Sequence, residues 1–207
     1  MRAFIYTGGT VYTEHVEERP TSEDLVIAAD SGYRTVQKMG ITPQILVGDF
    51  DSLGEPQAPK ECEILRVPAE KNSTDTHLAV DIAIERGARE IVIVGGLEGR
   101  LDHTLSTVAI LEQLNERRVH AVVTNGKSRV RFLRNNGTIL GRGAYRYFSI
   151  VAADPVVRGV TVEGGKYPLK NAKLKRTFQY AVSNESVGNC ALIEIRRGGV
   201  WVIESMD

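Results

Sequence analysis

The chain has 207 residues, 42% hydrophobic and 25% charged, enough to bury a core without disulfides. Its two cysteines, Cys62 and Cys190, stand far apart in no metal-ligand spacing, as in a reducing compartment. Twenty-six Lys and Arg balance 26 Asp and Glu, which argues against a protein that coats nucleic acid or an anionic membrane. No apolar run reaches the ~18 residues of a membrane span, and the start Met1-Arg2-Ala3-Phe4-Ile5-Tyr6-Thr7-Gly8-Gly9 has too short an apolar stretch for a signal peptide, so a cytoplasmic protein is expected.

The neutrality is a cancellation. Residues 126–207 hold 14 basic against six acidic residues, a net +8, and residues 1–125 carry 12 against 20, a net −8.

Residues 1–125 alternate short apolar runs with helical patterns, the texture of a parallel α/β sheet. Strands are expected at Ala3–Tyr6, Leu25–Ala29, Ile45–Val47, Ile64–Val67, Ile91–Val94 and Ala121–Thr124. Leu78, Ala79, Ile82 and Ala83 recur at helical spacing, as do Leu105, Val108, Leu111 and Leu114, and Arg34–Met39 reads as a shorter helix. From 126 to 207 the runs Arg129–Leu133, Tyr145–Val151, Val156–Val162, Leu174–Phe178, Ala191–Ile195 and Val200–Ile203 are separated by glycine and asparagine turn signals, and no helical pattern remains. The expected architecture is therefore an α/β domain over 1–125 followed by a β-sandwich domain over 126–207.

Polar residues with chemical potential gather where the α/β strands end, which is where open sheets of this class bind ligands. In Gly48-Asp49-Phe50-Asp51-Ser52 a continuing strand would project Asp49 and Asp51 from one face, with Phe50 pointing into packing, and would offer two carboxylates to a hard cation. The plainer alternative is a turn whose Asp side chains satisfy backbone donors. Ala28-Ala29-Asp30-Ser31-Gly32 ends a second apolar run, where Asp30 or Ser31 could equally cap a helix. Lys71-Asn72-Ser73-Thr74-Asp75 opens the Leu78/Ile82 helix, with Thr74 as a natural N-cap and Asp75 at the positive end of the helix dipole. Three such acids in one acidic half suit a magnesium ion that bridges substrate phosphates.

Gly95-Gly96-Leu97-Glu98-Gly99-Arg100-Leu101-Asp102-His103-Thr104 follows the Ile91–Val94 strand. Its glycines permit close backbone approach, and Arg100 offers a planar fork to phosphate oxygens. It has neither a Walker A sequence nor Gly-x-Gly-x-x-Gly spacing, and Asp102 is equally readable as a helix cap. In the β half, Ser183-Asn184 reads as a turn pair and the lone Trp201 as a core residue.

Taken in order, Ala28-Ala29-Asp30-Ser31-Gly32, Gly48-Asp49-Phe50-Asp51-Ser52, Glu70-Lys71-Asn72-Ser73-Thr74-Asp75, Gly99-Arg100-Leu101-Asp102-His103-Thr104, Lys166-Tyr167-Pro168-Leu169 and Ser183-Asn184-Glu185 resemble the thiamine pyrophosphokinase family. The resemblance implies an α/β catalytic domain joined to a β-sandwich domain that binds thiamine and dimerises. It also implies a homodimer and transfer of the pyrophosphoryl group of ATP to the hydroxyl of thiamine, with release of AMP. By matching motif, Asp30, Asp49, Asp51 and Asp75 would form the catalytic acid cluster, with magnesium on Asp49, Asp51 and Asp75. Lys71, Asn72 and Arg100 would contact ATP, while Asp102, His103, Ser183, Asn184 and Trp201 would face thiamine. The sequence departs from the family pattern at Asn72, where an acid is frequent, and at Glu98, where glycine is frequent. A binding protein impaired in catalysis, or another magnesium-dependent phosphotransferase, is the alternative.

Overall fold

A computed structural model describes residues 1–50, 59–67 and 73–206. It divides into two compact units, Met1–Gly126 and Lys127–Asp207.

Among the described residues the first unit is built on six strands. β1 (Arg2–Tyr6), β2 (Leu25–Ala29), β3 (Ile45–Gly48), β4 (Glu63–Arg66), β5 (Glu90–Val94) and β6 (His120–Thr124) lie in the order β6-β5-β1-β2-β3-β4, all parallel. The helices described among them are α1 (Gly32–Lys38), α2 (Asp75–Glu85) and α3 (Leu101–Glu116). The central strands are apolar without alternation because both of their faces are buried. Phe4, Tyr6, Val26, Ala28, Leu46, Val92 and Val94 share one core with Tyr33 and Val36 of α1. The intervening Ile5, Ile27, Ile45, Val47, Ile91 and Ile93 are buried as well. α2 packs on β1, β2 and β3 and touches α3, which packs on β6.

The strand order reverses at β1, which has β5 on one side and β2 on the other. This opens a crevice at the carboxyl ends of β1 and β5. An ion pair anchors the opposite edge: Arg2 Nε and Nη2 donate to Asp24 at 3.1 and 2.7 Å, and this pairing, with bonds from Thr21, holds the Asp24 carboxyl down at about 2.

The second unit contains eight strands: β7 (Ser128–Arg134), β8 (Gly137–Gly141), β9 (Tyr147–Ala152), β10 (Val156–Glu163), β11 (Leu169–Lys175), β12 (Asn184–Glu185), β13 (Cys190–Arg197) and β14 (Gly199–Ser205). They form two antiparallel sheets, β12-β9-β14-β7 and β11-β10-β13-β8. Leu140, Phe148, Ile150, Val157, Val160, Val162, Leu174, Ile193, Ile195, Val200 and Val202 from both sheets make one core. That is the expected sandwich, an α/β fold followed by a β-rich one.

The strand expected at Leu174–Phe178 lies instead at Leu169–Lys175, where only Leu174 is fully buried and Lys170, Asn171, Lys173 and Lys175 face water. β8 and β12 escape the apolar pattern for the same reason. β8 begins and ends on glycine, with Leu140 buried and Ile139 64% exposed, and β12 is two residues long.

Candidate active site

Loops from both sides of the crevice line a cleft of about 410 Å³ within the first unit. Thr7, Gly8 and Gly9 follow β1, Asp30 and Ser31 follow β2, and Asp49 follows β3; Ser73 to Thr76 begin α2, and Gly96, Glu98, Gly99, Arg100, His103 and Thr107 follow β5.

Each carboxylate is set there by a local backbone feature. Asp30 takes a left-handed conformation, φ 43°, while its N–H donates to the Val47 carbonyl at 2.8 Å and its own carbonyl accepts from Tyr33 at 3.0 Å. Aspartate tolerates this region better than most residues. Asp30 thus turns the chain out of β2 while its backbone stays tied to β3. Ser31 stands at the N-cap of α1 and makes no side-chain cap bond, so the capping alternative is not realised by Ser31.

Of the strand and turn readings of the segment that begins Gly48-Asp49-Phe50, the described residues do not continue the strand. β3 ends at Gly48, and Phe50 is left-handed at φ 61°, so strand alternation does not run past Asp49. Phe50 does enter the packing, 2% exposed, with the Arg66 guanidinium 5.4 Å from its ring centre. At α2 the expectation holds: Thr74 Oγ1 accepts from the His77 N–H at 3.2 Å, and Asp75 occupies the first turn. The buried hydroxyls of Thr7 and Thr76 bond to each other, which ties the loop after β1 to the start of α2.

The glycine side of the cleft is made of close backbone approaches. Gly96 donates its N–H to the Gly8 carbonyl at 2.8 Å. Its φ is +71°, and a Cβ there would lie 2.9 Å from Thr107, so only glycine lets the two loops cross at this depth. Tyr12 Oη donates to Glu98 Oε1 at 3.2 Å and Asn125 Nδ2 to Oε2 at 3.4 Å, so the carboxylate that replaces the family's frequent glycine is held by its neighbours. The same bond pushes the Tyr12 phenol up.

Arg100 is the N-cap residue of α3 and makes no side-chain cap bond. Its Nε and Nη2 donate to Asp102 Oδ1 at 3.2 Å and Oδ2 at 2.7 Å, and Oδ1 also accepts from the His103 N–H at 3.0 Å. Asp102 is therefore an ion-pair partner in the first helical turn rather than the cap. The guanidinium holds its carboxyl down at about 2.

In the second unit, Ser183 is left-handed at φ 55°, and its N–H donates to Ser149 Oγ at 3.0 Å. Asn184 is buried. Its Oδ1 accepts from Tyr167 N and Glu185 N, and its Nδ2 donates to the Tyr167 carbonyl, all at 2.9 Å. The side chain thus clamps the Lys166-Tyr167 segment against β12. Trp201 is not a sandwich-core residue. It alternates with the core residues Val200 and Val202 on β14 and meets Phe132 of β7 edge to face at 6.1 Å. Its buried Nε1 has no hydrogen-bond partner among the described residues.

Asp51, Lys71 and Asn72 lie outside the described residues. Among the described residues, no group of three His, Cys, Asp or Glu side chains is gathered for a metal. Asp30, Asp49 and Asp75 nevertheless line the same cleft with oxygen donors only, the donor type that hard divalent cations take. Thr7, Gly8, Gly9, Thr76 and Thr107 also line the cleft, and no motif of the sequence points to the three threonines. The sequence signal for this loop is the Gly8-Gly9 pair one residue past the end of an apolar strand.

Residues 16–123 match the thiamin pyrophosphokinase catalytic domain and residues 135–200 the thiamin pyrophosphokinase vitamin B1 binding domain. The chain is 31% identical over 195 residues to thiamine pyrophosphokinase of Bacillus subtilis, covering 88% of each chain. A solved structure of the thiamine pyrophosphokinase of Bacillus subtilis superposes with a TM-score of 0.89, at 24% identity, over 100% of both chains. That of Geobacillus thermodenitrificans superposes with a TM-score of 0.86, at 27% identity, over 100% of this chain and 98% of the other. The two matched domains in this order, and the relative 31% identical over most of both chains, place the chain in the thiamine pyrophosphokinase family.

Proposed function

We propose that the protein transfers the pyrophosphoryl group of ATP to the hydroxyl of thiamine, giving thiamine diphosphate and AMP. The observation that carries this reading is the convergence of Asp30, Asp49, Asp75 and Arg100 with glycine backbone on one cleft.

Phosphoryl chemistry asks little covalent work of a protein and much positioning and charge neutralisation. The loops at Gly8-Gly9 and Gly96 let the triphosphate lie against backbone, and the Arg100 fork suits its oxygens. Asp49, Asp51 and Asp75 would hold magnesium, which when bound neutralises phosphate charge and aligns the β-phosphorus. The thiamine hydroxyl attacks that phosphorus in line, the bond to the α-phosphate oxygen breaks, and AMP leaves with both bonding electrons. A cleft carboxylate, Asp30 or Asp75, accepts the hydroxyl proton. Lys71 and Asn72 complete the ATP contacts.

In this reading Asp102, His103, Ser183 and Asn184 are contacts of thiamine. The functional protein is a homodimer in which Trp201 of one copy covers thiamine bound to the other. The first unit is the ATP and metal domain; the second binds thiamine and dimerises. Nucleic acid and membrane play no part in this reading, and the protein works in the cytoplasm.

The test is incubation with ATP, a magnesium salt and thiamine, followed by nucleotide and thiamine analysis. AMP and thiamine diphosphate are expected in equal amounts. ADP with thiamine monophosphate, or no thiamine-dependent turnover, overturns the reading.

A further inference from the structure

The positive excess of the second unit is not spread evenly over its surface. Three of its acids are already engaged: Glu204 by Arg129 and Arg131, Asp154 by Arg134, and Glu185 by Arg146 and Lys166. On the β11-β10-β13-β8 sheet the balance fails. Arg158 of β10 sits directly opposite Lys173 of β11 on one side and Arg197 of β13 on the other. All three are exposed, and none forms an ion pair with a described residue.

Like charges placed directly opposite across strands repel. A row of three is a local cost that the sandwich does not need, since the core beneath it is complete.

The same place is also bent. Gly159 is left-handed at φ +68°, Asn171 is left-handed at φ 50°, and the β10–β11 register shifts on both sides of Val160. The paired irregularities leave a hollow of about 490 Å³ that includes Arg158, Gly159, Asn171, Lys173, Arg196 and Arg197 in its lining. Arg196 lies across Gly159, where a Cβ would meet its side chain at 2.7 Å, and its Nη1 donates to Asn171 Oδ1 at 3.3 Å. Glycine, asparagine and a held arginine thus form the floor of a pocket walled by cations.

We propose that this hollow binds a small anion carrying two or more phosphate groups, independently of the cleft in the first unit. Guanidinium and ammonium groups converging on a concave floor suit a multivalent phosphate chain. A single-stranded nucleic acid would call for a longer track with rings to stack its bases, and no aromatic residue lines the hollow.

The experiment follows backbone amide resonances of the whole protein during titration with inorganic triphosphate in constant salt. A parallel titration uses a nucleoside triphosphate. The amides of Gly159 and Asn171 are expected to shift with the same saturation curve, and R158Q/R197Q to weaken that curve at least tenfold. Lys173→Gln serves as an independent variant should the double variant not fold. Because like-charge repulsion is removed, either variant should also melt at or above the parent temperature. Equal affinity for the two ligands assigns the site to phosphate chains as such, and tenfold tighter nucleotide binding assigns it to nucleotides. Both support the proposal. It is overturned if Gly159 and Asn171 do not move while Gly8 and Gly96 do, if sodium chloride reproduces the shifts, or if a short RNA binds the hollow more tightly than either ligand.

Discussion

Arg100 and Asp102 hold each other at the head of α3 through two parallel bonds of 2.7 and 3.2 Å, although the side chains are 74% and 63% exposed. The proposed function gives these two groups to different substrates, Arg100 to the phosphates of ATP and Asp102 to thiamine. The ion pair therefore sets the geometry and charge of both before either substrate arrives, and an exposed pair of this kind contributes little to stability.

The sign of its pH effect follows from the direction of the shift. Arg100 holds the Asp102 carboxyl down at about 2, so Asp102 stays ionised as the solution is acidified through the ordinary carboxylate range of about 4. Replacing Arg100 with Gln should return that carboxyl toward about 4 and add an acid limb to the pH profile of thiamine KM. A carboxyl-detected NMR titration of Asp102 reads the change directly. No movement between parent and R100Q would show that the pair does not govern Asp102. R100Q should also raise the KM for ATP roughly tenfold or more, since a charge-assisted fork is lost.

Asp30, Asp49 and Asp75 should separate activity from folding. Asp49→Asn and Asp75→Asn each remove one charge from the cleft and should lower kcat by about two orders of magnitude or more. Their melting temperatures should stay within about 4 °C of the parent, because Asp75 adds only the ~0.3–1 kcal/mol of a first-turn acid. At Asp30 the backbone adds a second readout. Asn accepts φ 43° and Ala does not, so Asp30→Ala should cost about 1 kcal/mol more stability than Asp30→Asn, with equal loss of turnover. Calorimetry beside an AMP-release assay checks both.

Asn184 is expected to behave as a structural clamp first. Asn184→Ala leaves the Tyr167 N–H and carbonyl and the Glu185 N–H without their side-chain partner, a loss of about 2–4 kcal/mol at the typical cost of such groups. Thermal unfolding should fall by ~5–15 °C. Ser183→Gly, by contrast, relaxes a left-handed residue and should leave the melting temperature unchanged or higher. A rise in thiamine KM in S183G without a stability loss would mark the Ser183 hydroxyl as a thiamine contact. Unchanged KM would restrict its part to the turn.

The sequence by itself determined what depends on neighbours along the chain. The central parallel strands are readable because their both-face burial writes continuous apolar runs such as Ile91–Val94. The start of α2 is readable because a threonine cap and a first-turn acid act within one turn. The motif order around Asp30, Asp49, Asp75 and Arg100 pointed to the family.

Tertiary structure decided what depends on residues far apart in the chain. Phe50 leaves the strand path because it has a buried core to fill. Asp102 is claimed by a guanidinium rather than by the helix end. Thr7, Gly8 and Gly96 become a site only where strand order reverses at β1 and two loops cross. Trp201 lies off the sandwich core because strand alternation gives Val200 and Val202 the inner face of β14. The row Lys173–Arg158–Arg197 exists only through cross-strand register, which unites three cations that a charge count records as separate residues. Local propensity is written in a few adjacent residues, whereas register and loop crossing are fixed by which strands pair, and that is settled by the burial of the whole core.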